Sequence, residues 1–276
     1  MCSESKKTIG FVILVWNSEK VIDNCLKSII SLESYIPKIV VIDNGSTDCS
    51  LKILKTYKEQ YPETVSIIHF DENKGTTYSR NAGLIYLDKI PTDYYCILDS
   101  DTQVNDYAFI KMEQELLNNP NYGIIGPKLI SLDGSQQMSA RTFPTLIEKI
   151  FKALPFKNIQ KLGENLESIK ITSSNKKSYP VDYLMSACWF MKKDVLSKVG
   201  LLDERIFYAP EDAEYCIRIW KSGYQVAFCS EAEIIHEWQR LSKKKLISRI
   251  NYEHIKGLIY MFWKHKYLFS TSNLRK

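Results

Sequence analysis

An α/β fold, doubly wound around a mostly parallel sheet, is predicted by three features of this 276-residue chain. Short apolar runs recur along its first half, with the length and composition of strands buried on both faces. Segments between them carry apolar residues at helical spacing, so strands and helices alternate as βαβ units. Three of the apolar runs end in polar clusters: Trp16-Asn17, Asp43-Asn44 and Asp99-Ser100-Asp101. In a parallel sheet those ends share one edge, the edge outside which ligands bind in open α/β folds.

The first strand is Ile9 to Trp16, followed by Asn17-Ser18 as a candidate helix N-cap. Val21, Ile22, Cys25, Leu26, Ile29 and Ile30 then recur at helical spacing. Lys38 to Asp43 is the second strand, and Asn44 to Asp48 is a loop of glycine and capping residues before a helix around Leu51 to Tyr61. Val65 to Phe70 is the third strand, and Asn73-Lys74-Gly75-Thr76 opens a helix through Leu87. The strand Tyr94 to Leu98, a helix near Tyr107 to Leu117 and the strand Gly123 to Ile130 follow. Pro144 to Tyr179 has weak periodicity and reads as including a mobile loop. Beyond it come a strand over Val181 to Met191, a short helix Lys193 to Val199 closed by Gly200, a helix Glu211 to Lys221 and a strand Tyr224 to Cys229. Ile247, Ile250, His254, Leu258, Met261 and Phe262 mark one long amphipathic helix over Lys245 to Lys266.

Composition narrows the function classes. Hydrophobic residues make up 45% and charged residues 25%, as in ordinary globular proteins. The net charge of +5 is too small to argue for nucleic acid, and its excess is local: Lys243, Lys244, Lys245, Arg249, Lys256, Lys264 and Lys266 lie near the C-terminus. Seven scattered cysteines without a paired spacing point to reduced thiols in the cytoplasm rather than to a disulfide framework or a zinc site. Met1 to Lys7 lacks a signal-peptide pattern, and no apolar run approaches the roughly 20 residues that span a bilayer. The expectation is a cytoplasmic protein, at most peripheral at the membrane. Neither a dinucleotide-binding G-x-G-x-x-G nor a phosphate-binding P-loop is present.

Tyr94 to Asp101 is the stretch that carries the chemistry. An apolar strand stops in two carboxylates separated by Ser100. A turn at Ser100 would let Asp99 and Asp101 address one ion, and two hard oxygen ligands at a sheet crevice suit Mg2+ or Mn2+ beside a phosphate-bearing substrate. The plain alternative is that Asp99 caps the next helix and Asp101 is solvated. His236 would be a reasonable third ligand for Mn2+, with a structural histidine as the alternative. Glu211-Asp212 opens a helix after Pro210; the helix dipole favours carboxylates there, and a general base needs one, so both readings stand. Trp16 reads as core or as a platform for a nucleobase, with Asp43 or Asn44 on the edge of a pyrimidine. Lys74 and Arg80 are candidate phosphate contacts, with surface charge the alternative for Lys74. Tyr260 to Trp263 beside Lys264-His265-Lys266 would either pack on the domain or touch a membrane surface.

Taken in order, these residues resemble the inverting glycosyltransferases of family 2. The resemblance runs from about Ile9 to Trp238. It comprises Val15-Trp16-Asn17, Val41 to Asp48, Asn73 to Leu84, Leu98 to Asp101, Gly126 to Leu129, Val199 to Glu204, Phe207 to Arg218, Gly223-Tyr224 and His236. Gly126 to Leu129 with Arg141 to Thr145 looks like the bacterial rhamnosyltransferase branch.

The resemblance implies a GT-A fold. Residues 1–240 would be the glycosyltransferase domain, about 1–131 its nucleotide-sugar half and 132–240 its acceptor half, with 241–276 a C-terminal helical extension. It implies nucleotide-sugar contacts at Trp16, Asn17, Asp43, Asn44, Lys74, Gly75, Arg80, Asp99, Ser100 and Asp101, where many relatives carry a second Asp in place of Asn44. Mn2+ or Mg2+ would be held by Asp99, Asp101 and His236. Asp212 would be the catalytic base and Glu211 its neighbour in acceptor positioning. The implied reaction moves a sugar from dTDP-rhamnose or a UDP-hexose to a hydroxyl of a growing bacterial cell-surface glycan. Partners would be the donor and a glycan or lipid-linked acceptor, with peripheral membrane contact and a homo-oligomer as further expectations, and no nucleic acid. The rivals are a catalytically inactive nucleotide-sugar-binding protein and a sugar nucleotidyltransferase. The latter normally carries a Gly-rich, Arg-containing loop where this chain has Val15-Trp16-Asn17.

Overall fold

The computed structural model describes residues 5–169, 176–237 and 249–275. The first part follows the predicted alternation: β1 (Lys7–Val15), α1 (Ile22–Ile30), β2 (Tyr35–Asn44), α2 (Ser50–Gln60), β3 (Val65–Phe70), α3 (Thr76–Leu87) and β4 (Tyr94–Asp99). Next come β5 (Thr102–Gln103), α4 (Asp106–Asn118), β6 (Tyr122–Ile130), β7 (Gln136–Gln137) and β8 (Ala140–Arg141). The remainder is α5 (Leu146–Ala153), α6 (Lys157–Glu167), β9 (Ser178–Pro180), β10 (Tyr183–Leu184), β11 (Cys188–Lys192), α7 (Lys193–Val199), α8 (Glu211–Lys221), β12 (Gln225–His236) and α9 (Arg249–His265).

The main sheet runs β3-β2-β1-β4-β11-β6-β12-β5. Pairs β2–β3, β1–β2, β1–β4 and β6–β12 are parallel, while β11 runs antiparallel between β4 and β6. The sheet is therefore mixed at its centre. Alternation along β1 feeds two cores. Phe11, Ile13 and Val15 face α1, α2 and α4, and Phe109 of α4 meets Phe11 edge-on at 5.6 Å. Val12 faces the other side, where Leu84 of α3, Tyr215 and Ile217 of α8 and Met261 of α9 are fully buried. Burying both sheet faces is what a doubly wound fold requires of near-continuous apolar strands.

Three local expectations change. Asn17 and Ser18 do not cap α1: the cap position is Val21, and the Ser18 carbonyl accepts from the Val21 and Ile22 amides at 3.0 Å. The Asn17 side chain is taken by the Thr47 amide at 2.8 Å instead. Pro144 to Tyr179 carries α5, α6 and the start of β9, and 170–175, within the stretch expected to include a mobile loop, lie outside the described residues. The single strand expected over Val181 to Met191 is broken at Met185-Ser186-Ala187 into β10 and β11. The strand expected to stop at Cys229 continues to His236. The expected C-terminal helix appears as α9; Trp238, Lys243, Lys244, Lys245 and Ile247 fall outside the described residues.

Candidate functional site

The register of β1 against its neighbours aligns the polar strand ends. Leu14 sits opposite Asp99 and Val15 opposite Asp43, so β1, β2 and β4 finish side by side. After Asp99 the chain turns at Ser100-Asp101 and enters β5, whose Thr102 pairs with His236 at the end of β12. The Asp101 carbonyl accepts from the Glu237 amide at 2.9 Å, which closes this junction. One ligand atom from each of Asp99, Asp101 and His236 lies within 4.8 Å of the others, and His236 Nε2 is 3.3 Å from Asp101 Oδ1. Two carboxylates and an imidazole converging on one cavity fit a hard or borderline divalent cation such as Mn2+. Burial disfavours a charged His236 ring, but the Asp101 and Asp99 carboxylates outweigh it and raise its pKa. That is the local field a cation would meet.

Arg80 of α3 is almost wholly buried and joins this cluster to α8. Its Nη2 donates to Asp99 Oδ1 at 2.7 Å, and its Nη1 to Glu211 Oε1 at 3.1 Å and Ser186 Oγ at 2.8 Å. Two carboxylates thus already share the guanidinium that the sequence offered to phosphate. Burial raises the pKa of Asp99, with Arg80 opposing it. Burial, then the neighbouring Asp212, push Glu211 up to about 8 against the pull of Arg80. Asp212 is raised by burial too, while the Ala213 amide at 2.7 Å and the charges of Arg141 and Lys149 favour its ionised form. The two carboxyl groups at the head of α8 therefore differ in character. Glu211 is held toward the acid form, and Asp212 has the support a base requires.

One cavity of about 640 Å3 joins the two clusters, and Trp16, Asn44, Gly75, Arg80, Asp99, Ser100, Asp101, Glu211, Asp212 and His236 help to line it. Trp16 is 37% exposed at its mouth, so it is not a core residue. Gly75 holds φ +89 and packs under the Phe207 carbonyl, where a side chain would collide with backbone. Asn44 is a strut: its Oδ1 accepts from the Lys74 amide and Ser79 Oγ, and its Nδ2 donates to Asn73. Three expected contacts do not line the cavity. Asp43 is fully buried, bonded to His69 Nδ1 at 2.8 Å and to the Ser46 amide. Asn17 faces Thr47, and the Lys74 ammonium pairs with Glu72 at 2.5 Å.

Several lining residues were not among the expected site residues. Met185, Ser186 and Ala187 enter because β10 and β11 are separated there, which the continuous apolar run concealed. Phe207, Tyr208 and Ala209 belong to the loop ahead of α8. Ile250 and Glu253 come from α9. The amphipathic pattern revealed that helix but not where it docks.

The chain is similar to several proteins of known description. The chain is 32% identical over 119 residues to the teichoic acid poly(glycerol phosphate) polymerase of Staphylococcus epidermidis, covering 43% of this chain and 16% of that one. It is 26% identical over 225 residues to the dTDP-rhamnosyl transferase RfbF of Shigella flexneri, covering 82% of this chain and 67% of the relative. The mannosyltransferase PcManGT of Pyrobaculum calidifontis, solved in complex with GDP-Man and Mn2+, superposes with a TM-score of 0.62 at 14% identity, over 95% of this chain and 64% of that one. The chain thus spans a small part of the first relative and just under two thirds of the solved enzyme. The model of glycosyl transferase family 2 matches residues 11–200, well over half of the sequence, and the chain belongs to that family.

Proposed function

We propose that this glycosyltransferase moves a sugar, with inversion, from a nucleoside-diphosphate sugar to a hydroxyl of a growing bacterial surface glycan. The observation that carries the reading is the meeting of the Asp99, Asp101 and His236 cluster with the Glu211-Asp212 pair in one cavity. Asp99, Asp101 and His236 would hold the divalent cation, which when bound would supply charge neutralisation on the diphosphate. Trp16 offers a platform for the base at the cavity mouth. Asp212 takes the proton of the acceptor hydroxyl as that oxygen bonds to the anomeric carbon. The bond from that carbon to the diphosphate oxygen breaks, its electron pair leaves with the nucleoside diphosphate, and the centre inverts. Arg80 keeps Asp99 and Glu211 in fixed register, so that the donor and base sides of the cavity stay aligned.

The Shigella relative supports dTDP-rhamnose as the first donor to test, and the sequence leaves a UDP-hexose close behind. Among the described residues no helix is long and apolar enough to cross a membrane. Tyr252, Ile255, Ile259 and Trp263 nevertheless form an exposed stripe along α9, opposite its buried Met261 and His265. That stripe supports peripheral contact at the cytoplasmic membrane face, where a lipid-linked acceptor would be presented.

The test is calorimetry with dTDP-rhamnose, UDP-glucose, UDP-galactose, UDP-N-acetylglucosamine and GDP-mannose, each with Mn2+ and with EDTA. Metal-dependent binding of one donor is expected, lost in Asp101→Ala and kept in Asp212→Asn while turnover disappears. Absence of binding by every donor would overturn the reading, and unchanged turnover in Asp212→Asn would remove Asp212 as the base.

A further inference from the structure

His236 is gripped from behind by a residue that belongs to no motif. Gln137, the last residue of β7, is 7% exposed, and its Nε2 donates to the His236 carbonyl at 2.7 Å and to Ser131 Oγ at 2.9 Å. Its Oε1 lies 2.6 Å from His236 Nδ1. A carbonyl oxygen can only accept, so the amide nitrogen of Gln137 must face it, and the amide can take only this orientation. Oε1 then faces Nδ1, and because Oε1 also only accepts, Nδ1 carries the hydrogen. Nε2 is therefore the ring nitrogen turned toward Asp101 and open to a cation. One side chain fixes both the backbone and the ring of the same histidine.

We propose that Gln137 is a positioning residue of the cation site, setting the orientation and tautomer of His236 so that Nε2 is presented beside Asp99 and Asp101. The inference rests on the assignment of those three residues to a divalent cation. Hydrogen bonds behind a ligating histidine are worth about 10–100-fold in metal affinity. Gln137→Met keeps the length of the side chain and removes both bonds to His236, together with the one to Ser131. Without an acceptor at Nδ1, the neutral ring reverts to a mixture of tautomers, and its plane is set only by packing.

The experiment titrates Mn2+ into the full chain and follows the free-ion signal by electron paramagnetic resonance. Relative to wild type, binding is expected to weaken roughly 10–100-fold in Gln137→Met. Ser131→Ala, which spares Oε1, should stay within about twofold of wild type. Long-range 1H–15N NMR of the metal-free protein at alkaline pH provides a second readout. His236 should appear as the Nδ1–H tautomer in wild type and lose that signature in Gln137→Met, which a merely structural glutamine would not produce. Should Gln137→Met fail to fold, Gln137→Asn draws the amide back by one methylene and is expected to weaken Mn2+ in the same direction. Wild-type affinity in a folded Gln137→Met, with His236→Ala impaired, would overturn the positioning role alone. Wild-type affinity in His236→Ala would instead remove His236 from the cation site, and this inference with it.

Discussion

Gly257→Ala sets helix propensity against packing, and the structure decides the sign. Gly257 lies midway along α9, where alanine would ordinarily stabilise an α-helix by about 0.8–1.0 kcal/mol. Here the glycine is buried, and a Cβ would fall well inside the contact distance of the Ala209 carbonyl oxygen and 3.1 Å from Pro210 Cδ. The obstructing oxygen is backbone and cannot rotate aside, so an overpacking cost of ~1–3 kcal/mol applies. Nor is α9 free to lift away. Lys264 Nζ is 2.6 Å from both Asp203 and Glu214, and Tyr260 bonds Asp203 at 2.7 Å. A net loss of up to about 2 kcal/mol is expected, or up to roughly 8 °C in melting temperature at about 2–4 °C per kcal/mol. Ala209 and Pro210 immediately precede Glu211 and Asp212, so turnover should fall by more than the stability loss explains. Scanning calorimetry and metal-dependent donor hydrolysis measure the two effects. Ile255→Ala, at an exposed position of the same helix, should stay within about 0.5 kcal/mol of wild type. A higher melting temperature in Gly257→Ala would refute the reasoning, because it would mean that propensity outweighs the contact and that α9 sits less tightly on the 207–210 loop.

Two further outcomes are expected. Burial raises the pKa of Glu211 to about 8, with Asp212 adding to the shift and Arg80 opposing it, so between about pH 4.5 and 8 the folded state holds a proton that the unfolded chain has released. Its contribution to stability is full below the unfolded pKa and falls as pH rises through that window; Glu211→Gln should flatten this slope in urea titrations at pH 5, 6.5 and 8, and an unchanged slope would mean that Glu211 is not held protonated. For the α9 stripe, Ile259→Ser with Trp263→Ser should reduce flotation with phosphatidylglycerol-containing liposomes severalfold while the melting temperature changes little, since both side chains are more than 60% exposed; unchanged flotation would detach α9 from the membrane.

Legibility in the sequence followed burial pattern closely. β3 is found at Val65–Phe70 and α3 ends at Leu87, both as spacing predicts, because apolar residues there meet the core and polar ones meet water. The helices α5 and α6 invert that rule. Glu148 and Glu167 are buried, held by Lys149, Lys152 and Arg141, while Ile147, Ile150, Leu162 and Leu166 are exposed. A reading that places charge outside and leucine inside cannot detect such a hairpin. Strand direction is equally hidden: Cys188 to Lys192 reads as a buried strand whether parallel or antiparallel, and the hydropathy of β11 does not record its reversal between β4 and β6. Asp99, Asp101 and His236 were legible as residue types, but their meeting depends on the pairing of β5 with the end of β12. Gln137 left no trace, since a glutamine in a two-residue strand looks like loop.

The division of labour around the cavity follows from where each part of the chain enters it. Residues 11–200, matched by the family model, bring Trp16, Asn44, Asp99 and Asp101 to the ends of parallel strands, a placement dictated by the sheet itself, with Arg80 of α3 beside them. Glu211, Asp212, His236, Ile250 and Glu253 all come from beyond that match. They are tied back to it by individual contacts: Arg80 to Glu211, Asp101 to His236, and Thr77 Oγ1 to the Ile206 carbonyl at 2.6 Å. Within α9, Lys264 and His265 both reach Glu214, one turn into the helix that carries Asp212. The C-terminal helix therefore braces α8 from outside while contributing Ile250 and Glu253 to the same cavity. A substitution on α9 can consequently alter acceptor use and the setting of Asp212 together. A comparison of donor hydrolysis, in which Asp212 would act on water, with transfer to acceptor separates the two.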